Sequence, residues 1–212
     1  MKTLKIQLAV VTAAIILGGS VAEATIAFTQ TSPNNYSAAG SSLSQVIPDN
    51  NYSGVAYALS FGFSGVTIRD ISVMLNISGG YNGDIYAYLS HGSEIAYLLA
   101  ANPAVSGSGF NITFVEGTGS PIPTGGSGVL TGSYNPAIDF ATTFNTTDPN
   151  GAWTLFLADL SPGDTSTLNS FGVNVTGVPE PVNVALGAFG VLLLAIGGVR
   201  RVGRKIGSSG GQ

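Results

Sequence analysis

The sequence contains no cysteine, one histidine and one tryptophan among its 212 residues. Without thiols the chain has no disulfide and no thiolate nucleophile or metal ligand. A zinc site needs several histidine or cysteine ligands, which one histidine does not supply. Charged residues are also scarce, at 8% of the chain. Carboxylates and hydroxyls are therefore the main groups left for any chemistry.

Basic side chains are almost absent from the middle of the chain. Residues 25–176 hold nine acids and one base, Arg69, which gives a net charge of −8. Such a surface repels phosphate backbones and anionic lipid headgroups. We therefore expect no nucleic acid among the partners of this region.

The N-terminus has the organisation of a secretory signal peptide. Lys2 and Lys5 precede an apolar run, Leu8 to Leu17, that is too short to span a bilayer. Ala22-Glu23-Ala24 then gives the small-x-small pattern of a cleavage site. The pattern predicts that signal peptidase removes residues 1–24, that Ala22 and Ala24 direct the cut, and that the mature chain begins at Thr25. An uncleaved N-terminal anchor is the alternative.

A second apolar run occupies residues 182–199. As a helix it would be about 27 Å long, close to the hydrocarbon thickness of about 30 Å. The basic tail 200–212 follows at once, and basic residues stay on the cytoplasmic side. The run therefore predicts a transmembrane helix, with the middle of the chain outside the cytoplasm.

The linker 177–181 contains the motif Pro-Glu-Pro, which precedes the predicted helix and an arginine cluster. This arrangement resembles the PEP-CTERM sorting signal, which occurs in Gram-negative bacteria that make exopolysaccharide. The resemblance covers Val178 to Lys205. It implies that an exosortase cuts near the motif, and that the protein is first tethered to the membrane and then reaches the cell surface or the extracellular matrix. A permanent single-pass anchor is the alternative. The sorting residues implied are Pro179, Glu180, Pro181, Arg200 and Arg201.

The middle of the chain alternates apolar and polar residues, which is typical of strands with one buried face. Clusters rich in glycine, asparagine, serine and proline separate the runs and predict turns. The pattern predicts an all-β, two-layer sandwich or jelly roll. The predicted strands are 57–63, 71–78, 85–89, 94–101, 110–114, 153–157 and 171–175, with a weaker one at 138–144.

Several segments resemble the P domain (P/Homo B domain) of kexin- and furin-like proprotein convertases. They are Ile47 to Asn50, Gly83 to Ile85 with Tyr88-Leu89, Gly151 to Leu155 with Asp159, Gly163-Asp164, and Leu168 to Phe171. The resemblance implies a jelly-roll-like β-sandwich over 47–176, with 25–46 as a lead-in.

P domains accompany a subtilisin-like catalytic domain, for which 212 residues leave no room. We therefore expect a non-catalytic, surface-sorted module that contacts a surface protein or exopolysaccharide. The alternative is an accessory that acts in trans on an exported subtilisin-like serine endopeptidase.

His91 is the one candidate base for a Ser-His-Asp triad. Ser90 to Ser93 reads as a turn, and no Gly-x-Ser-x-Gly motif occurs within 47–176. The sequence therefore predicts a solvated turn histidine.

Asp84, Asp159 and Asp164 are candidate calcium ligands, because hard oxygen ligands clustered on loops suit this ion. The resemblance adds support, since some bacterial P domains bind calcium. The alternative is that these aspartates cap turns through backbone hydrogen bonds. Calcium is the only cofactor that the sequence indicates.

Overall fold

The computed structural model describes residues 10–17, 20–32, 35–62, 65–179, 186 and 189–192, with side chains from residue 35 onward. The chain divides into two compact units, Met1–Val178 and Pro179–Gln212. The first unit is built from strands, one short α-helix and one 3₁₀ turn at Asn82–Asp84. The elements are β1 (Val10–Leu17), β2 (Ser20–Ser32), β3 (Asn35–Gly40), β4 (Gln45–Ile47), β5 (Val55–Phe61), β6 (Val66–Gly79), β7 (Ile85–His91), β8 (Glu94–Leu99), β9 (Phe110–Val115), β10 (Leu130–Tyr134), α1 (Phe140–Phe144), β11 (Gly151–Asp159) and β12 (Ser166–Pro179).

The strands form two sheets. The larger has eight strands in the order β1-β2-β3-β12-β6-β9-β10, with β4 paired to β12. The smaller has four, in the order β5-β11-β7-β8. The edge strand β10 runs parallel to β9, whereas the smaller sheet is antiparallel throughout its described pairs. The prediction of an all-β protein with two sheets is confirmed.

One hydrophobic core contains side chains from both sheets. Along β6, Ile71, Val73, Leu75 and Ile77 are buried, and the residues between them are half-buried or exposed. Along β11, every second residue from Trp153 onward is buried in the same way. Burial stabilises each large apolar side chain by about 1.5–3 kcal/mol, so this alternation fixes which face of each strand points inward.

The strand predicted at 138–144 is wrong, because α1 occupies this segment. The Asp139 carboxylate accepts a hydrogen bond from the Ala141 N–H at 2.9 Å and caps the first turn. Phe140 and Phe144 are four residues apart, so a helix places both on one face, and both are buried. The burial of these two aromatic side chains and the cap at Asp139 favour the helix over the strand that the weak alternation predicted.

Two further segments differ from the prediction. Strand β10 was missed because its burial shows no period of two, and it is held by backbone pairing to β9. The segment 25–46 was assigned to a lead-in, but the rest of β2, β3 and β4 lie there and belong to the larger sheet. Backbone hydrogen bonds place these strands, and side-chain alternation does not reveal them.

The predicted cleavage residues lie within β2. Ala22 pairs with Ile15, Ala24 with Ala13, and Thr25 with Thr12, all on β1. A cut after Ala24 would remove β1 and the first part of β2. The signal peptide stays a prediction.

The C-terminal predictions fall largely outside the described residues. Pro179 ends β12, whereas Glu180, Pro181, Arg200 and Arg201 lie outside the described part of the chain. Of the predicted helix 182–199, only Leu186 and 189–192 are described, and they are helical. Within the described residues, no helix has the length and hydropathy needed to cross a membrane.

Candidate functional site

His91 is the last residue of β7, and the turn that follows it is Gly92-Ser93. Its ring stacks on Trp153 with centroids 4.2 Å apart and planes 5° from parallel. Nδ1 lies 2.9 Å from the Ala152 carbonyl oxygen, and Nε2 lies 2.8 Å from that of Asp148. The prediction of a solvated turn histidine is therefore wrong in detail, since the ring is half-buried against the indole and bonded to the backbone.

The surroundings of the two ring nitrogens decide what His91 can do. A general base needs a ring nitrogen that faces the proton it will take. In His91 both nitrogens face main-chain carbonyl oxygens, so a serine has no nitrogen to approach while the ring stays in place. Trp153 is held similarly, because its Nε1–H donates to the Pro149 carbonyl at 2.9 Å. This arrangement braces the start of β11 against the end of β7.

Four carboxylates come together where β11 ends and β7 begins. The Gly163 N–H donates to the Asp49 carboxylate at 3.1 Å, and the Leu160 N–H donates to the Asp84 carbonyl at 2.9 Å. The three predicted calcium ligands thus lie close enough for their charges to interact. Asp49, which the prediction omitted, joins them. The four are Asp49, Asp84, Asp159 and Asp164.

Asp159 is the buried member of this group, with 1% of its surface exposed. Burial raises the pKa of its carboxyl above the ordinary value, and the charges of Asp84, Asp49 and Asp164 raise it further. The Ser161 N–H, which donates to Oδ1 at 3.3 Å, opposes this shift. Within the described residues, no three histidine, cysteine or acidic side chains are arranged to hold a metal ion. Calcium at Asp84, Asp159 and Asp164 stays a prediction.

Replacing Asp159 by asparagine should stabilise the protein at pH 7 in calcium-free buffer. A raised folded-state pKa means that the ionised form costs free energy above that pKa, and that this cost disappears below the ordinary pKa of about 4. The amide keeps an acceptor for Ser161 and turns donors toward the neighbouring carboxylates. We expect a gain of about 2–4 °C in Tm, as on the order of 1 kcal/mol produces in a domain of this size.

The matched control is Asp148→Asn, where the exposed Oδ1 also accepts a backbone N–H, from Asn150 at 2.9 Å. Thermal melts at pH 7 and near pH 4 should show the gain for Asp159→Asn only at pH 7, and no change for the control. Millimolar calcium should raise the Tm of the unmodified protein and not that of Asp159→Asn if the predicted site exists. A lower Tm for Asp159→Asn at pH 7 without calcium would contradict the assigned repulsion.

A second carboxyl pair lies beside the larger sheet. Burial raises the pKa of Glu116, and so do its hydrogen bond to Asp139 and the charges of Asp139 and Asp70, against the lowering effect of the Ala141 N–H. Two carboxyls that share a hydrogen bond also share a proton. The pair was not predicted, because Glu116 directly follows β9 and Asp139 caps α1, two elements further along the chain.

An aromatic cluster covers part of the outer face of the smaller sheet. Tyr88 and Phe156 stack with centroids 4.7 Å apart. Tyr86 and Tyr97 pack against this pair at centroid distances of 6.1–6.3 Å, and against each other at 5.8 Å. Burial, the hydrogen bond with Tyr97 and the neighbouring phenols raise the pKa of Tyr86 to about 12. One pair is stacked and the others meet at tilted or edge-to-face angles, which is typical of cross-strand packing.

A pocket of about 320 Å³ opens beside the 3₁₀ turn. Twelve described residues line it, of which nine are aliphatic residues or prolines. None of these lining residues is charged or aromatic, although the surrounding domain is strongly acidic. The polar lining consists of three asparagines, Asn82, Asn102 and Asn135. We call it the amide pocket.

Two of these asparagines carry buried amide atoms without a partner. Asn82 is 4% exposed, and its Oδ1 accepts the Gly109 N–H at 2.6 Å. That bond fixes the orientation of the amide, which makes the other atom a donor. Among the described residues, neither Nδ2 of Asn82 nor Oδ1 of Asn135 has a hydrogen-bond partner. A buried polar atom in this state costs about 1–3 kcal/mol, so each needs an explanation.

Two glycines allow the loop before β9 to approach Asn82. At Gly107 (φ +116°), a Cβ would lie 2.9 Å from the Asn82 Nδ2 and 2.6 Å from the Gly128 carbonyl oxygen. Gly109 (φ +97°) has the Ile77 carbonyl oxygen 2.6 Å from its Cβ position. Only glycine fits either position. The pocket was not predicted from the sequence. Gly107 and Gly109 indicate a turn, but the sequence does not show that this turn packs over Asn82.

Neither a family model nor a curated protein sequence matches this chain. Among solved structures, it is similar to the serine protease of Aeromonas sobria, alone and in complex with a chaperone. The TM-score is 0.40 in both cases, with 13% and 14% identity over 62% of this chain. The match spans 24% of the protease chain, about a quarter of its length. A similarity at this level carries no argument about fold or function.

Proposed function

We propose that the chain is an exported, surface-sorted and non-catalytic β-sandwich domain that acts by contact with a surface protein or exopolysaccharide. The amide pocket carries this proposal. Apolar concave surfaces with a few fixed polar groups are the usual form of binding sites. Its described lining is mainly aliphatic, with three asparagine side chains and no charged group.

His91 supports the non-catalytic part of the proposal. The sequence has one imidazole, and both of its nitrogens lie within 2.9 Å of main-chain carbonyl oxygens. A triad would require the ring to leave its stack on Trp153 and its contacts with the two carbonyl oxygens. A role in bracing two strands explains the same contacts without any such movement.

The terminal segments support export and sorting. A signal peptide over 1–24 and a sorting signal over Val178 to Lys205 direct residues 25–176 to the outside of the cytoplasmic membrane. We further propose that 47–176 has the jelly-roll-like arrangement of a P domain, as its motifs indicate. The acidic charge of this region agrees with a neutral or cationic partner and disfavours phosphate-rich ones.

The test of sorting is the mass of the protein recovered from its native cells. We expect a C-terminus near Pro181, as cleavage by an exosortase would leave. An intact end that retains Arg200 and Arg201 would instead make the segment a permanent anchor and contradict the sorting proposal. Co-purification of an exported subtilisin-like protease in a stable complex would favour the role of an accessory in trans.

A further inference from the structure

We propose that a groove on the outer face of the larger sheet binds a neutral saccharide, with one sugar ring lying over Met74 and Ala39 and its hydroxyl groups bonded to the polar side chains around them. We call it the sheet groove. It has a volume of about 240 Å³ and shares no lining residue with the amide pocket. The inference rests on the proposed contact function, to which it adds a second contact surface and the class of its ligand.

The sheet groove has an apolar floor. It lies across four neighbouring strands, β3, β12, β6 and β9. On β12, a Cβ at Gly172 would lie 2.8 Å from the Met74 Cε and 3.2 Å from the Ala39 Cβ, so a glycine here leaves room for the methionine side chain. Met74 is 39% exposed. An apolar surface therefore stays accessible in the groove, where it can pack against the C–H groups of a sugar ring.

The polar part of the lining consists of five uncharged side chains, none of them buried: Ser41, Asn76, Asn111, Thr113 and Ser170. Each hydroxyl can donate and accept a hydrogen bond, and each amide has donors and an acceptor. A sugar ring has several hydroxyl groups, which lose hydration on binding and need partners in exchange. Five hydrogen-bonding side chains around a small apolar floor match that combination.

A row of asparagines across three strands determines which polar atoms face the ligand. The Asn169 Nδ2 donates to the Asn76 Oδ1 at 2.8 Å, and the Asn76 Nδ2 donates to the Asn111 Oδ1 at 3.4 Å. This order assigns the orientation of each amide. Asn111, at the exposed end of the row, uses its oxygen toward Asn76 and keeps its two N–H groups as donors for sugar hydroxyl oxygens.

The charges near the sheet groove favour a neutral chain over an anionic one. None of the described lining residues is charged. Two residues further along β6 and β12, on the same face, Ser72 and Asn174 line a neighbouring pocket together with Asp70 and Glu116. A polysaccharide that continues along the face would meet these carboxylates, which repel an anionic chain and leave a neutral one unaffected.

A peptide fits this groove less well than a saccharide. An aliphatic side chain would cover the floor at Met74 and Ala39, but it would take hydration from the surrounding hydroxyl and amide groups without replacing their hydrogen bonds. The ring hydroxyl groups of a sugar replace those bonds. The same surface therefore selects a saccharide by its polar rim.

The test is an NMR titration of the ¹⁵N-labelled full-length protein with cellohexaose, maltohexaose and mannohexaose, read at the side-chain NH₂ signals of Asn76 and Asn111. We expect saturable shifts with at least one of these neutral chains, and binding of the anionic hexagalacturonate about tenfold or more weaker at low salt. No saturable shift with any neutral chain, or equal binding of hexagalacturonate, would overturn the inference. Tighter binding of N-acetyl-leucine N-methylamide at the same signals would overturn the saccharide assignment in favour of a peptide.

Asn111→Ala is the main variant, because it removes the donors at the exposed end of the row. It should weaken binding of the saccharide about tenfold or more, whereas Asn150→Ala, at an exposed position before β11, should leave it unchanged. Thr113→Val keeps the shape of the side chain and removes its hydroxyl, so a loss of about threefold or more is expected. Unchanged affinity in both groove variants would overturn the inference.

The same samples separate this inference from the proposed function. Release of shorter sugars from the bound chain would show hydrolysis and refute the non-catalytic function, whatever the affinity. Failure of all three neutral chains to bind, with the protein found outside the cytoplasm, would overturn the ligand assignment alone.

Discussion

Replacement of Trp153 by alanine should destabilise the protein by about 3–5 kcal/mol, the usual cost of removing a buried aromatic side chain. The indole is fully buried, and it packs against His91, Phe61 and Phe144 at centroid distances of 4.2, 6.4 and 4.9 Å. Its loss would leave a cavity among these rings and an unpaired carbonyl at Pro149. Thermal unfolding should show a decrease in Tm of about 6–20 °C.

Two controls separate the parts of this effect. Trp153→Phe keeps an aromatic ring and removes the indole N–H, so it should cost clearly less than the alanine variant. Tyr52→Ala, at a side chain that is 73% exposed, should change stability by less than about 0.5 kcal/mol. A decrease in Tm for Trp153→Ala no larger than that for Tyr52→Ala would contradict the packing described for the smaller sheet.

Gly109→Ala should also destabilise the protein strongly. The backbone at this residue has φ +97°, which an L-residue adopts at a cost of about 1–3 kcal/mol, and the added Cβ would lie 2.6 Å from the Ile77 carbonyl oxygen. The Gly109 N–H also holds Asn82, and its carbonyl accepts the Leu130 N–H at 3.0 Å. The variant should therefore lose stability and disturb the amide pocket together.

The control for Gly109 is Gly92→Ala, in the turn between β7 and β8. Gly92 has φ +59°, and no described atom lies within 4 Å of its Cβ position. This variant carries the conformational cost alone, about 1 kcal/mol, and leaves Asn82 unchanged. Chemical denaturation and the Asn82 side-chain NMR signal should distinguish the two. Equal losses of stability would show that the contact with Ile77 does not matter.

The sequence predicted the strands whose burial alternates and missed those that are held by backbone pairing alone. Every second residue of β7, of β9 and of β6 from Ile71 onward faces the core, and these segments were predicted. The start of β6 at Val66 was missed, because the burial changes phase at Arg69 and Asp70. Strand β10 has no buried residue, so its alternation carries no signal. The apolar residues of segment 138–144 are only weakly compatible with a strand, and their spacing fits a helix better. Asp139, which caps this helix, was the feature that the prediction overlooked.

The sites were predicted only in part, because their members are far apart in the chain. Asp84, Asp159 and Asp164 were grouped from their motifs, but Asp49 joins them through a contact with Gly163 across 114 residues. The amide pocket was not predicted, since an asparagine in a glycine-rich loop is ordinary until its amide is found buried and unpartnered. The position of His91 depends on Trp153, its partner on the neighbouring strand β11. The two residues are far apart in the sequence, so the contact could not be predicted.

The central claim is that an acidic, strand-built domain is carried across the cytoplasmic membrane and acts there by contact. Fractionation of native cells, with determination of the N-terminus of the recovered protein, tests it most directly. The account predicts the domain outside the cytoplasm with Thr25 as its first residue. Recovery of the domain from the cytosol with residues 1–24 still attached would contradict it.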